Sequence, residues 1–329
     1  MRQWLALAFL ALPGCGAQAH LLGTRGTYLM TVYDVLSRPG ETVDLAARLR
    51  GGDFLRDRPG YVVRFRRGAG PELFKAAETD ESGRAVVEFT PEMPGDYRFT
   101  IDLAAAGFAG SPPRPQELHV ACRAADEPIA VVDLDRTLVA SGFQAVLVGD
   151  PEPMPGSVAV MQRLEKDHTI AYLTHRPDFF GIKSRAWLAE HGYPPGPVLL
   201  SSVSGFLAGS GAYKTEAIAR LRERFSALRV GIGDKVSDAL AYHENGLHSI
   251  LILPMPTGDD PEDYAELALA LGRLPDAVDV VTNWDQVARA IFDGERFPAR
   301  PIEERLERRA RQLKLDTAGA TSRRQGGSP

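Results

Sequence analysis

Cysteine is scarce in this chain: its 329 residues contain only two, Cys15 and Cys122. With Cys15 lipidated or cut away, Cys122 is left unpaired, which excludes a disulfide framework. An excess of one charge is missing too. Thirty-eight Lys and Arg stand against 43 Asp and Glu, a net charge of −5, so there is no global pull toward nucleic acid or an anionic membrane, and no nucleic-acid partner is expected. Long apolar runs are absent after the first dozen residues, so no later segment has the length to span a bilayer. No internal repeat is visible. The rest is ordinary soluble-protein composition, 44% hydrophobic and 25% charged, in a chain long enough for two domains with separate cores.

The opening reads as a signal peptide over residues 1–19. Arg2 supplies a minimal positive region, and residues 4–12 form an apolar run too short for a transmembrane helix. Two cuts compete. Leu12-Pro13-Gly14-Cys15 resembles a lipobox, although Pro13 departs from the usual pattern, and would make Cys15 the lipidated first residue. Ala17-Gln18-Ala19 is an A-x-A site for ordinary cleavage before His20. Either way the expectation is export, to the periplasm or as an envelope lipoprotein of a bacterium, with peripheral or lipid-anchored membrane association.

Residues 20–123 read as an all-β domain. Alternating segments at 28–33, 42–49, 61–66, 85–89, 96–103 and 117–121 are separated by Gly/Pro turns, and Asp80-Glu81-Ser82-Gly83 predicts a hairpin turn. The Gly95-Asp96-Tyr97-Arg98-Phe99-Thr100 ending resembles immunoglobulin-like accessory domains of secreted bacterial proteins. That resemblance implies a β-sandwich serving as spacer or docking module.

After Arg123 the period changes. Apolar strands at 129–133, 169–174, 198–200, 229–232 and 249–253 alternate with helices at 157–166, 181–191, 215–225 and 236–245, which predicts an α/β domain over 124–300 with a Rossmann-like parallel sheet covered on both faces. An added helix is expected at 261–273 and a last short strand at 278–281. Residues 301–329 read as a polar tail with one helix at 303–315 and disorder from Asp316 onward.

The acidic residues cluster at strand ends. Asp133-Leu134-Asp135-Arg136-Thr137 follows the first strand of this half, where ligands of open α/β sheets bind. Two carboxylates two residues apart can share one site, one attacking phosphorus and the other handling protons; acidic pairs also end strands simply as solvated caps. Thr174 ends the second strand on a hydroxyl. Lys214 opens a helix after a Gly/Ser-rich loop, a position that a surface lysine also fills. Gly231-Ile232-Gly233-Asp234-Lys235-Val236-Ser237-Asp238 adds two more carboxylates. So many hard oxygen donors suit Mg²⁺, and without a dication they would repel one another.

Acid, hydroxyl, lysine and acid at successive strand ends resembles the four-motif order of haloacid dehalogenase-like phosphatases. The resemblance implies Asp133 as nucleophile and metal ligand, and Asp135 as general acid/base and ligand through its backbone carbonyl. It makes Thr174 and Lys214 phosphoryl-orienting groups and Asp234 the third metal ligand, with Thr137 supporting and Asp238 holding either a metal water or Lys214. Neither interval between motifs has room for a large cap, so an open site is expected.

Tyr172-Leu173-Thr174-His175-Arg176-Pro177 and the run from Ala186 to Leu200 are similar to the lipins and the fungal actin-patch phosphatidate phosphatases. That likeness covers about residues 128–253, and Arg136 departs from the Gly or Asp usual there. It implies hydrolysis of a phosphorylated substrate, a membrane lipid such as phosphatidate; a soluble phosphomonoester, or phospholipid binding without turnover, are the competing readings. Arg176 matches the family's arginine and either pairs with phosphate or bonds its own loop. Phe206 and Leu207 either meet a lipid interface or pack locally.

Overall fold

The computed structural model describes residues 28–52, 55–70, 72–104, 112–140, 150–201 and 210–325. The signal segment with both its cuts, and the Phe206-Leu207 pair, lie outside the described residues.

Two β-sheets make the first half. Strands β1 (Tyr28–Tyr33), β2 (Val35–Ser37), β3 (Val43–Gly51), β4 (Arg56–Asp57), β5 (Val62–Arg67), β6 (Leu73–Glu78), β7 (Arg84–Phe89), β8 (Gly95–Leu103) and β9 (Gln116–Cys122) follow in order. One sheet centres on β3, flanked by β1, β4 and β7; the other runs β2-β9-β8-β5-β6. In β7 buried and exposed residues alternate strictly, as a strand with one face on a core requires. That core holds Val32, Leu45, Phe65, Phe89, Phe99 and Val120, with the Phe89 and Phe99 rings edge-to-face at 5.0 Å.

The turn at Asp80–Gly83 forms, held by the Asp80 carboxylate accepting from Ser82 and Arg84 backbone N–H groups. It is not a hairpin. β6 pairs with β5 and β7 with β3, so the turn carries the chain from one sheet to the other. Gly83 has φ +70°, and a Cβ there would lie 2.5 Å from the Leu49 carbonyl oxygen; the crossing needs glycine. β6 went unread because its Lys-Ala-Ala-Glu stretch lacks β-branched residues.

The second half alternates β10 (Ile129–Val132), α1 (Ser157–Leu164), β11 (Thr169–Pro177), a 3₁₀ turn (Asp178–Phe180), α2 (Gly181–Glu190), β12 (Val198–Ser201), α3 (Ser210–Arg224), β13 (Leu228–Gly233), α4 (Val236–Glu244), β14 (His248–Ile252), α5 (Pro261–Leu271), β15 (Asp279–Val281), α6 (Trp284–Phe292) and α7 (Arg300–Gln325). The six strands are all parallel in the order β12-β11-β10-β13-β14-β15. β10 lies inside the sheet; the chain builds β11 and β12 on one side of it, then crosses to β13 on the other. The crevice beyond β10 and β13 is therefore the topological switch point.

Three helices differ from expectation, α3 by starting five residues early at Ser210. α6 was not foreseen, although Asn283 caps it by accepting from the Gln286 N–H. α7 runs through Gln325 instead of fraying at Asp316. Leu306, Ala310 and Leu313 form its buried stripe in one core with Tyr264, Ala268 and Leu271 of α5, and Glu304 and Glu307 pair with arginines four residues away.

The two halves are joined by more than the linker. Leu36 and Ala121 of the first half share a core with Val131, Leu173 and Ile218 of the second. Asp34 accepts from the backbone N–H of His119 on one side and of Val198 on the other. Cys122 is free and fully buried.

Candidate active site

Parallel pairing sets the site. Val132 pairs with Ile232, and the Asp133 N–H donates to the Ile232 carbonyl at 2.9 Å, so Asp133 and Asp234 leave adjacent strand ends side by side. Asp238 comes from the first turn of α4. Carboxylate oxygens of Asp133, Asp234 and Asp238 all lie within 4.8 Å of one another, and all three residues are buried. Lys214, 1% exposed, comes from within α3 instead of opening it. Its Nζ stands 2.9 Å from Asp133 Oδ2 and donates to Asp238 Oδ2 at 2.6 Å.

Close packing here depends on glycine. A Cβ at Gly231 would sit 2.2 Å from the Tyr242 ring, and one at Gly233 would sit 2.9 Å from the Asp238 Cβ. The Gly-x-Gly-Asp run thus lets α4 lie against β13 and bring Asp238 to the cluster.

The electrostatics are one-sided. Burial, then the charges of Asp133 and Asp238, push the Asp234 carboxyl up to about 7, against the pull of Lys235 and Lys214. Burial alone would lower the Lys214 ammonium; Asp133 and its acidic neighbours more than offset that and hold it above its ordinary value. Lys214 thus sits among three carboxylates, with Lys235 adding a weaker pull on Asp234. Asp234 Oδ1 and Asp238 Oδ1 are buried without a hydrogen-bond partner among the described residues. Two free hard oxygens beside Asp133 are what a divalent cation of the Mg²⁺ class takes, so the donor set fits one.

The other expected residues gather around this cluster. Asp135 is not one of the three clustered carboxylates. Arg176 grips it with two parallel bonds, Nε to Oδ2 at 3.0 Å and Nη2 to Oδ1 at 2.8 Å, and donates Nη1 to Ser184 at 2.9 Å. Asp135 keeps 22% side-chain exposure while Arg176 is almost fully buried. Arg176 therefore binds Asp135, a partner that neither sequence reading of it had foreseen. Thr174 is buried within β11 and does not end it, because the strand runs on to Pro177; it is the last residue before the register with β12 shifts, and its Oγ1 accepts from the Arg176 N–H. Thr137 is buried, with no hydrogen-bond partner for its Oγ1 among the described residues.

Three supporting residues were not foreseen. The Trp284 indole donates to the Thr137 carbonyl at 2.9 Å and props the Asp133–Thr137 loop from α6. Ser184 completes the grip on Arg176. Lys183 adds a cation beside Arg176; burial lowers its ammonium, Asp150 opposes this and Arg176 adds to it. Only the Asn283 cap before Trp284 gave a readable signal. Between Asp135 and Thr137, Arg136 is exposed with φ +56°, a left-handed backbone unusual for a residue with a long side chain.

Residues 130–253 match the family described as the LNS2 domain of PITM 1-3, of the haloacid dehalogenase-like phosphatase class. No curated protein matches the chain. Among solved structures, the D00-D0 domain of intimin is similar at 15% identity and a TM-score of 0.24, covering 30% of this chain and 50% of its own. A CARDB domain from Pyrococcus furiosus is similar at 15% identity and a TM-score of 0.22, covering 30% of this chain and 86% of its own. This chain spans half the length of the intimin structure, and at these scores neither likeness bears on activity.

Proposed function

We propose that the protein is a Mg²⁺-dependent phosphomonoester hydrolase of haloacid dehalogenase type, acting on a lipid phosphate such as phosphatidate. One observation carries this reading: a buried lysine and three buried carboxylates, two with free oxygens, converge at the switch point of a parallel sheet. The LNS2 match over the same strands supports the phosphatase class, and the lipin-like run from Tyr172 to Leu200 supports a lipid substrate.

Asp133 and Asp234 would hold the metal, with the Asp135 carbonyl as the resemblance implies and Asp238 behind them. Bound there, Mg²⁺ supplies positive charge to the phosphoryl oxygens and relieves the carboxylate repulsion. An Asp133 oxygen forms a bond to phosphorus while the bond from phosphorus to the leaving oxygen breaks, and Asp135 gives that oxygen a proton. Water then attacks the aspartyl-phosphate, Asp135 taking its proton, and phosphate leaves with Asp133 restored. Lys214 and Thr174 orient the phosphoryl group, and positioning of this kind supplies most of the rate in such transfers. Arg176 must yield its hold on Asp135 in part during the proton steps.

The test is phosphate release by purified residues 20–329, with Mg²⁺, from phosphatidate in mixed micelles beside p-nitrophenyl phosphate. Release from phosphatidate that Asp133→Asn abolishes is the expected result. Release from the small ester alone would move the substrate to a soluble phosphomonoester. Phosphatidate binding with no release would leave a lipid-binding module, and wild-type rates in Asp133→Asn would remove the nucleophile.

A further inference from the structure

Resting on that reading, we propose that the N-terminal β-sandwich is a working part of the site. Arg50, with Tyr33, acts as a positioning group that holds the segment 174–178 where Thr174 and Arg176 can serve Asp133 and Asp135.

The need for such a hold is visible in the sheet. β11 pairs with β12 from Tyr172 to Thr174, then loses register before Pro177 meets Ser201. The ladder is thus broken across His175 and Arg176, where the strand presents its functional side chains. Irregularities of this kind re-aim side chains beside active sites, and they leave the backbone to be fixed by something other than the ladder.

The fixing group comes from the other half of the molecule. Asp178, two residues past Arg176, is 1% exposed. Arg50 of β3 donates to it twice, Nη1 to Oδ1 and Nη2 to Oδ2, both at 2.9 Å. The Tyr33 hydroxyl of β1 adds a bond to Oδ2 at 2.5 Å, and Arg48 stands 3.8 Å away. Burial would raise the Asp178 carboxyl, but the bonds from Arg50 and Tyr33 outweigh it and hold the group ionised. Between the two gripped residues lies only Pro177, whose ring fixes φ. Arg50 to Asp178, then Arg176 to Asp135, is therefore a short path with little slack, a bidentate charged pair at each end.

Adhesion alone gives no reason for this arrangement. The halves already share an apolar core through Leu36 and Ala121, and a buried ion pair adds less stability than apolar groups of the same volume. What a fork-shaped guanidinium adds is orientation.

The experiment compares full-length Arg50→Met, Arg50→Lys and Tyr33→Phe with an interface control, Arg224→Met. Arg224 also crosses between the halves, donating to the Leu36 carbonyl and Glu41, and among the described residues it makes no hydrogen bond or ion pair to the segment 174–178. Measured on folded protein well below its melting temperature, Arg50→Met should lower kcat on p-nitrophenyl phosphate by roughly tenfold or more. Arg50→Lys should recover part of that loss, and Arg224→Met should lower Tm with kcat unchanged. If Arg50→Met does not fold, Tyr33→Phe removes one bond and no charge, and should still cost roughly threefold in kcat. Wild-type kcat in every folded Arg50 and Tyr33 variant would overturn the proposal.

Hydrogen exchange separates this outcome from failure of the phosphatase reading. Amides of residues 174–180 should exchange faster in Arg50→Met or Tyr33→Phe and not in Arg224→Met, whether or not any ester is cleaved. Unchanged exchange there would overturn the positioning role by itself.

Discussion

Replacing Asp234 with Asn should make the protein more stable and useless at once. The Asp234 carboxyl stands at about 7 because it is buried beside Asp133 and Asp238. A carboxyl raised that far from its ordinary 3.8 carries a penalty on the order of 4 kcal/mol in its charged form. Between those two values the folded chain holds the proton more tightly than the unfolded chain does. Stability in EDTA should therefore fall as pH rises through that window and level off above about 7. Asp234→Asn removes the charge while keeping the shape. In EDTA at pH 8 it should gain up to about 4 kcal/mol over the wild type, with the falling limb flattened. Magnesium should reverse the ranking, because wild type gains binding free energy that the variant, short of one ligand, lacks. Urea unfolding from pH 4 to 8, with EDTA or with Mg²⁺, reads both effects. A variant no more stable than wild type in EDTA, or gaining as much from Mg²⁺, would refute the account of the cluster as a repulsive site awaiting a cation.

Two further substitutions test the backbone around the site. Arg136→Gly should raise stability by about 1 kcal/mol in thermal unfolding, since glycine takes the left-handed φ of +56° without a Cβ penalty; a lower Tm would mean that the arginine side chain contributes more than its backbone costs. Gly231→Ala should cost about 1–3 kcal/mol or more and lower Mg²⁺ affinity, because the added methyl meets the Tyr242 ring and lifts α4 with Asp238; unchanged Mg²⁺ binding would detach α4 placement from the metal.

The sequence was most informative where a short apolar strand ends on a polar side chain. Asp133 and Asp234 are legible because burial on both faces makes their strands near-continuous apolar runs, and parallel pairing aligns the ends; Thr174 closes the apolar part of β11, which itself runs on to Pro177. Asp238 was expected to hold either a metal water or Lys214, and the packing of α3 against α4 gives the second, with Lys214 donating to it at 2.6 Å. The partner of Arg176 was invisible. Asp135 lies 41 residues away, and a guanidinium fork reveals nothing of which carboxylate it meets. The Asp80–Gly83 turn was recognised by its chemistry, but turn chemistry does not say whether the next strand pairs back or crosses to another sheet. The end of α7 was cut short because polar composition alone reads as disorder; its charge pairs and its stripe on α5 account for the helix as far as Leu313.

Asp34 has a consequence of a different kind. Every open sheet ends in strands whose outer N–H and C=O groups invite pairing with a foreign chain. Here β12 is one such border, and its Val198 N–H is taken by Asp34; at the other border the Val280 N–H of β15 is taken by the Phe297 carbonyl. The first half of the molecule therefore shields a self-templating margin of the second. A fragment cut at residue 124 would lose that shield and expose β12, four residues long with Val-Leu-Leu at its start, to aggregation by edge-to-edge growth.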